Sequence, residues 1–291
     1  MSAKPRLGYV GVGLMGLPMA KRLLSLGYSV RAYDIAPDRV EAARAAGGTV
    51  ARSPADTATG ADIVALNLPT TEAVEQAVFG ENGVATALKP PQLLIDFSTI
   101  KVEKCKAFAA KLREQTGVGW IDAPVSGGPP ASGSGTLTVM AGGDAADIER
   151  ARAFFADVAG RFTHMGPTAS GMVAKMLNQL IVGCGYAVMA EAAVLAEAAG
   201  IDASRLPECL GGGHADGSAL QRIYPRMVAR DFAPQGYARQ LLKDLEMVNE
   251  FAGGMKAPTP MMGEALSLYR MLVHLGHSEL DGVALVKLYG R

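Results

Sequence analysis

In the first half of the chain, short apolar runs alternate with stretches whose apolar positions recur every three or four residues. The runs at 7–10, 28–33, 62–68, 93–97, 119–123, 136–141 and 161–165 predict strands. The stretches at 15–26, 37–46, 72–79, 102–115 and 145–158 carry helical spacing. Such alternation implies a doubly wound parallel sheet with helices on both faces. After Gly166-Pro167 the pattern changes, and only helices are predicted, at 170–199, 204–210, 218–228, 237–251 and 260–275. Thr168 or Ser170 suits the cap of the first of these. The chain is therefore expected to divide into an α/β domain, 1–166, and an all-helical domain, 167–291, that begins with a long interdomain helix.

The first predicted strand runs into Gly11-x-Gly13-x-x-Gly16, and the next predicted helix follows at once. At a strand-to-helix turn each glycine has a reason. Gly11 permits the tight turn, Gly13 lets backbone approach a pyrophosphate, and Gly16 lets the helix pack on the strand. Val12, Leu14 and Met15 lie in the same turn, whose helix N-terminus offers unpaired N–H groups to phosphate. Asp34 closes the second predicted strand, where a carboxylate accepts hydrogen bonds from ribose hydroxyls. This is the pattern of a Rossmann-type dinucleotide-binding domain. Ligands in such sheets lie beyond the carboxyl ends of the strands. That rule adds Leu68, Pro69 and Thr70, Ser98 and Thr99, and the segment 122–128 to the expected site.

Composition narrows the class. With 28 basic and 28 acidic residues and no basic run, neither nucleic acid nor a membrane surface is expected as a partner. Three separated cysteines suit a reducing, cytoplasmic compartment, and four histidines without ligand spacing predict no metal site. The stretch 177–200 is apolar enough to suggest a membrane span. Glu191 and Glu197 interrupt it, so a buried helix of a soluble protein is expected.

Three clusters could carry chemistry. Gly171, Lys175 and Asn178 fall at i, i+4 and i+7 and share one helix face. Burial beside a cofactor would lower the affinity of such a lysine for its proton and make it an acid/base. Ser126-Gly127-Gly128 follows a predicted strand and offers a hydroxyl with approachable N–H groups, a cradle for a carboxylate. Lys243-Asp244 lies on a later helix, where such pairs are commonly solvated.

Taken together, these motifs resemble the β-hydroxyacid dehydrogenase family over essentially the whole chain. The resemblance implies Lys175 as catalytic acid/base assisted by Asn178, with an active site between the two domains. It implies Ser126, Gly127 and Gly128 at the substrate carboxylate, and Thr99 and Lys243 beside cofactor and substrate. Many members carry a second asparagine where this chain has Gln179. The Asn-Gln form, with Gly211-Gly212-Gly213 and Ser218, is more similar to tartronate semialdehyde (2-hydroxy-3-oxopropionate) reductases than to 3-hydroxyisobutyrate dehydrogenases. The expected cofactor is NAD, with NADP second because Asp34 opposes a 2′-phosphate. A small carboxylate substrate and a homo-oligomer, dimer or tetramer, complete the expectation.

Overall fold

The computed structural model describes residues 4–290 and comprises two compact units, Met1–Lys175 and Met176–Arg291. The first unit is built on one sheet. β1 (Arg6–Val10), β2 (Ser29–Tyr33), β3 (Thr49–Val50), β4 (Ile63–Leu66), β5 (Leu93–Asp96) and β6 (Gly119–Asp122) are parallel, in the order β3-β2-β1-β4-β5-β6. All residues of β4, β5 and β6 are buried, as expected of parallel strands covered on both faces. Strand order reverses between β1 and β4, the position where such sheets bind ligands.

The helices are α1 (Gly16–Ser25), α2 (Pro37–Ala45), α3 (Pro54–Ala58), α4 (Thr71–Phe79) and α5 (Val102–Thr116). α1 shows why they dock: Gly16, Met19, Ala20 and Leu23 are its buried residues, at i, i+3, i+4 and i+7. β3 and α3 are absent from the expected elements. α3 nevertheless carries a local signal, since Ser53 Oγ accepts from the Asp56 N–H at 3.2 Å and Pro54 sits at the first helical position.

Beyond β6 the sheet departs from the expected parallel run. β7 (Val125–Ser126) and α6 (Gly128–Ser134) occupy a segment that reads as a loop. β8 (Leu137–Gly142) pairs antiparallel with both β6 and β7. α7 (Ala145–Val158) then leads to β9 (Ala159–Gly166), parallel to β8. The strand is longer than the apolar run at 161–165. A ladder hydrogen bond needs backbone, not a large apolar side chain, so Ala159 and Gly166 join it at the ends.

α8 (Ser170–Ala198) starts in the first unit and continues into the second. Neither Thr168 nor Ser170 caps it. Asp122, at the end of β6, accepts from the Ala169 N–H at 2.7 Å and the Met172 N–H at 2.9 Å, so a distant carboxylate takes the cap's role. By length and composition α8 could cross a membrane. Its buried polar residues instead meet protein: Lys175 the Val125 carbonyl, Gln179 the Asp244 carboxylate.

The second unit holds α9 (Leu206–Leu210), α10 (Tyr224–Val228), α11 (Ala238–Gly254) and α12 (Pro260–His274). The single helix expected at 218–228 is split, with a π-type stretch over Ala219–Ile223 ahead of α10. Pro225 supplies the reason, because it has no N–H for the helical bond to residue 221 and its ring crowds that carbonyl. The helix expected at 204–210 is likewise 3₁₀ at Ala203–Arg205 before α9, ahead of Pro207. A final 3₁₀ segment, Gly282–Tyr289, has no counterpart among the expected elements. Its Val283 and Val286 pack with Ala190, Ala193, Leu220, Tyr224 and Met227 in this unit's core.

Candidate active site

The carboxyl ends of β1, β4, β5 and β6 are neighbours in the sheet, and the loops that follow them carry most of the expected residues of the first unit. After β1, a Cβ on Gly16 would strike the Gly11 carbonyl oxygen, and one on Gly11 the Asn67 carbonyl oxygen. These two glycines make the turn possible by letting backbone pass against backbone. Gly13 differs: a Cβ there would meet only the end of the Arg39 side chain, at 3.3 Å. No neighbouring backbone fills the space over Gly13, which is the opening a pyrophosphate requires.

Asp34 follows β2 and reaches back to this turn. Val12 N–H donates to its Oδ2 at 2.9 Å and Ala36 N–H to its Oδ1 at 3.0 Å. Each oxygen keeps a second lone pair for a ribose hydroxyl. Arg39 lies 3.8 Å from Oδ1, with its side chain half exposed. Arg31 is engaged elsewhere, on Asp56 Oδ1 at 3.3 Å and the Asp56 carbonyl at 3.2 Å. The Gly11–Gly16 turn and Asp34 thus fit a dinucleotide: backbone N–H groups and open space for its phosphates, acceptor oxygens for its ribose.

Leu68, Pro69 and Thr70 follow β4. Thr70 accepts from the Ala73 N–H at 3.1 Å and caps α4. Ser98 after β5 is buried, and its hydroxyl accepts from the Leu68 N–H at 2.9 Å, which ties the two loops together. Thr99 beside it is half-buried.

The segment after β6 is joined to α8 at two points. Asp122 holds the start of the helix, and Lys175 Nζ donates to the Val125 carbonyl at 2.8 Å. Lys175 is buried, so its ammonium is fixed against the strand leading into Ser126. Gly127 and Gly128 have φ of 130° and 72°, values that side chains rarely adopt, so both glycines are required by the turn into α6. Gly171 permits a close approach, as its position suggests, but what approaches is the protein itself. A Cβ there would lie 2.8 Å from Asp122 Oδ2 and would strike the Met140 carbonyl oxygen. Burial pushes the Asp122 carboxyl up to about 6, against the opposing effect of its backbone donors.

In the second unit, Asn178 is half-buried one helical turn after Lys175. Its Nδ2 donates to Gln179 Oε1 at 2.7 Å, and Gln179 Nε2 donates to Asp244 Oδ2 at 2.6 Å. Lys243 Nζ lies 3.0 Å from Asp244 Oδ1. The Lys243-Asp244 pair is not the solvated surface pair that sequence alone suggests, because Asp244 is buried and linked to α8. The bonds by which Asp122 and Val125 of the expected segment hold α8, and the Gln179–Asp244 link, are absent from the expectations. Nothing local marks them, since their partners are 47, 50 and 65 residues away in sequence. Among the described residues no cluster suits a metal ion.

Residues 6–166 match the family described as the NAD binding domain of 6-phosphogluconate dehydrogenase. Residues 169–289 match the NAD-binding family of NADP-dependent 3-hydroxyisobutyrate dehydrogenase. The NAD-dependent L-serine dehydrogenase of Pseudomonas aeruginosa is 35% identical, over 98% of this chain and 97% of its own. The chain belongs to the β-hydroxyacid dehydrogenase family. The 2-hydroxy-3-oxopropionate reductase of Escherichia coli is 33% identical over 97% of this chain and 96% of its own. The solved 3-hydroxyisobutyrate dehydrogenase of Mycobacterium tuberculosis with L-serine superposes with a TM-score of 0.87, at 30% identity and 99% coverage of both chains. This β-hydroxyacid dehydrogenase is therefore an NAD(P)-dependent oxidoreductase acting on CH–OH groups, with the Rossmann-type domain and helical region that the sequence predicts.

Proposed function

We propose that this enzyme reduces 2-hydroxy-3-oxopropionate, a three-carbon semialdehyde, with NADH. The observation that carries the reading is the clamp of the Lys175 ammonium onto the Val125 carbonyl, one residue before Ser126-Gly127-Gly128. A proton donor and a carboxylate cradle so joined suit a short acid whose aldehyde lies close to its carboxylate. The dinucleotide, when bound, would supply a hydride, one hydrogen with its electron pair, to the aldehyde carbon. Lys175 as ammonium gives its proton to the oxygen that becomes the C3 hydroxyl, and its charge stabilises that oxygen as negative charge develops. Ser126 with the Gly127 and Gly128 N–H groups holds the carboxylate, and Asn178 orients the reacting oxygen. Leu68, Pro69, Thr70, Ser98, Thr99 and Lys243 border the cofactor, and Asp34 selects NAD.

A second reading rests on the relatives. L-Serine shares the carboxylate and the C3 hydroxyl, differing in an ammonium at C2, and a serine dehydrogenase is among the similar proteins. Initial rates with 2-hydroxy-3-oxopropionate, glycerate, L-serine and 3-hydroxyisobutyrate, with both cofactors, decide between the two. We expect kcat/KM to favour the semialdehyde–glycerate pair. Higher kcat/KM for L-serine moves the assignment to serine oxidation, and for 3-hydroxyisobutyrate to the methyl-branched class. Since a methyl group is worth only about 1–3 kcal/mol, some overlap is expected. We also read the enzyme as a cytoplasmic homo-oligomer. The exposed Leu177, Ile181, Val188 and Leu195 of α8 and the free Cys105, Cys184 and Cys209 support this, and light scattering tests the assembly.

A further inference from the structure

Within the second unit, four polar side chains form a line: Asn178, Gln179, Asp244 and Lys243. Asn178 Nδ2 donates to Gln179 Oε1 at 2.7 Å, Gln179 Nε2 donates to Asp244 Oδ2 at 2.6 Å, and Asp244 Oδ1 lies 3.0 Å from Lys243 Nζ. Gln179 and Asp244 are both buried. The direction of donation along this line follows from chemistry. An ionised carboxylate only accepts, so Gln179 must turn its NH₂ group to Asp244. Its carbonyl oxygen is then left for Asn178, which must answer with its own NH₂. A flip of either amide would bring two acceptors or two donors face to face, without water to separate them at the buried glutamine.

We propose that Gln179 is a positioning residue that transmits the polarity of Asp244 to Asn178 and so fixes Asn178 with its amide oxygen as the acceptor it offers beside Lys175. The proposal rests on the reading in which Lys175 and Asn178 act on the substrate. In the reductive direction, both the ammonium of Lys175 and the hydroxyl being formed are donors. An amide oxygen complements them, and an amide NH₂ would oppose them. An unanchored Asn178 could present either.

Three variants test this. Gln179→Met keeps the approximate volume and removes both hydrogen bonds. Gln179→Glu sets a second carboxylate against Asp244. Gln179→Glu with Asp244→Asn restores the order, because the carboxylate introduced on α8 then accepts from the NH₂ groups of both Asn178 and the new amide on α11. We expect kcat to fall about tenfold in the two single variants, the equivalent of one net hydrogen bond at ~1.4 kcal/mol per factor of ten. In Gln179→Met the KM for NADH should stay within about twofold, because the Asp244–Lys243 pair is intact. The double variant should recover most of the kcat lost in Gln179→Glu. Wild-type kcat in Gln179→Met, with or without a lower Tm, overturns the proposal, as does a double variant that regains Tm but not kcat. Either result would reduce the line to a structural tie between α8 and α11. Turnover that survives Lys175→Ala overturns the functional reading instead, and that variant alone tells the two failures apart.

Discussion

If Asp34 sets the proposed NADH preference, exchanging it for serine should let the enzyme use NADPH far better. In NADPH the 2′-phosphate replaces the ribose hydroxyl that a carboxylate at this position would bind. Two unit charges ~4 Å apart repel by about 4 kcal/mol at an effective dielectric of 20. Solvent and salt reduce this, but one third of it still corresponds to about tenfold, at ~1.4 kcal/mol per factor of ten. The carboxylate cannot simply swing aside. Val12 N–H and Ala36 N–H both donate to it, and Val12 is fully buried. Leaving such a buried N–H unpaired costs roughly 1–3 kcal/mol, comparable with the repulsion it would relieve. Arg39 offsets little while it is drawn to Asp34, since a pair with a half-exposed partner contributes about 0–1 kcal/mol. In Asp34→Ser the hydroxyl can still accept one backbone N–H, the repulsion is gone, and Arg39 is released toward the phosphate. Steady-state kcat/KM with each cofactor should show an NADH preference of about tenfold or more in the wild type. That ratio should fall by at least about as much in the variant, and Arg39→Ala in the serine background should reverse part of the gain. A wild type that prefers NADPH, or a ratio unmoved by Asp34→Ser, refutes the reasoning.

Other outcomes can be stated briefly. Lys175→Ala should lower kcat by about 10²-fold or more while NADH binding, followed by fluorescence, persists, and wild-type alcohol oxidation should accelerate toward alkaline pH because it needs the neutral amine. Asp122, pushed up to about 6, holds its proton more tightly in the folded than in the unfolded chain, so its contribution favours folding below about pH 4 and is lost as pH rises through 6. Asp122→Asn removes this dependence, and differential scanning calorimetry should find the variant gaining about 3 kcal/mol relative to wild type between pH 4 and 7. Gly171→Ala should cost about 1–3 kcal/mol by forcing a methyl against the Met140 carbonyl and the Asp122 carboxylate. Gly263→Ala in α12, where nothing lies within 4 Å, should instead be neutral or gain up to about 1 kcal/mol of helix propensity, which a Tm comparison checks.

The legible parts of this protein are those whose signal is local. Gly11, Gly13 and Gly16 report backbone geometry within one turn, and the buried stripe of α1 repeats within ten residues. Where sequence reading stops short, the cause is short range or long range. β7 is two residues long, too short for any periodicity, and the glycines and prolines of α6 read as a turn. Pro207 and Pro225 occur inside apolar helical patterns, and only their missing N–H groups convert those turns to 3₁₀ and π geometry. The cap of α8 comes from Asp122, 47 residues away, so the nearby Thr168 and Ser170 are misleading candidates. Gln179 and Asp244 each look ordinary, and their pairing across 65 residues gives them a role that neither segment announces.

The two clamps between the β6 loop and α8 have a mechanical consequence for catalysis. Asp122 fixes the helix start through the Ala169 and Met172 N–H groups, and one turn later Lys175 closes the frame on Val125. The lysine proposed to give the proton and the loop proposed to hold the carboxylate are therefore set by one piece of the first unit. A distance between proton donor and carboxylate site that cannot drift favours substrates of one length, because a misplacement of about 1 Å can cost on the order of 10²-fold in rate. Asn178 and Lys243, by contrast, take their settings from Gln179 and Asp244 in the second unit. Chain-length selectivity should then respond to changes at Asp122 and Val125, whereas the handling of the reacting oxygen should respond to changes at Gln179. Loss of both behaviours from a single substitution in either unit would contradict this division of roles.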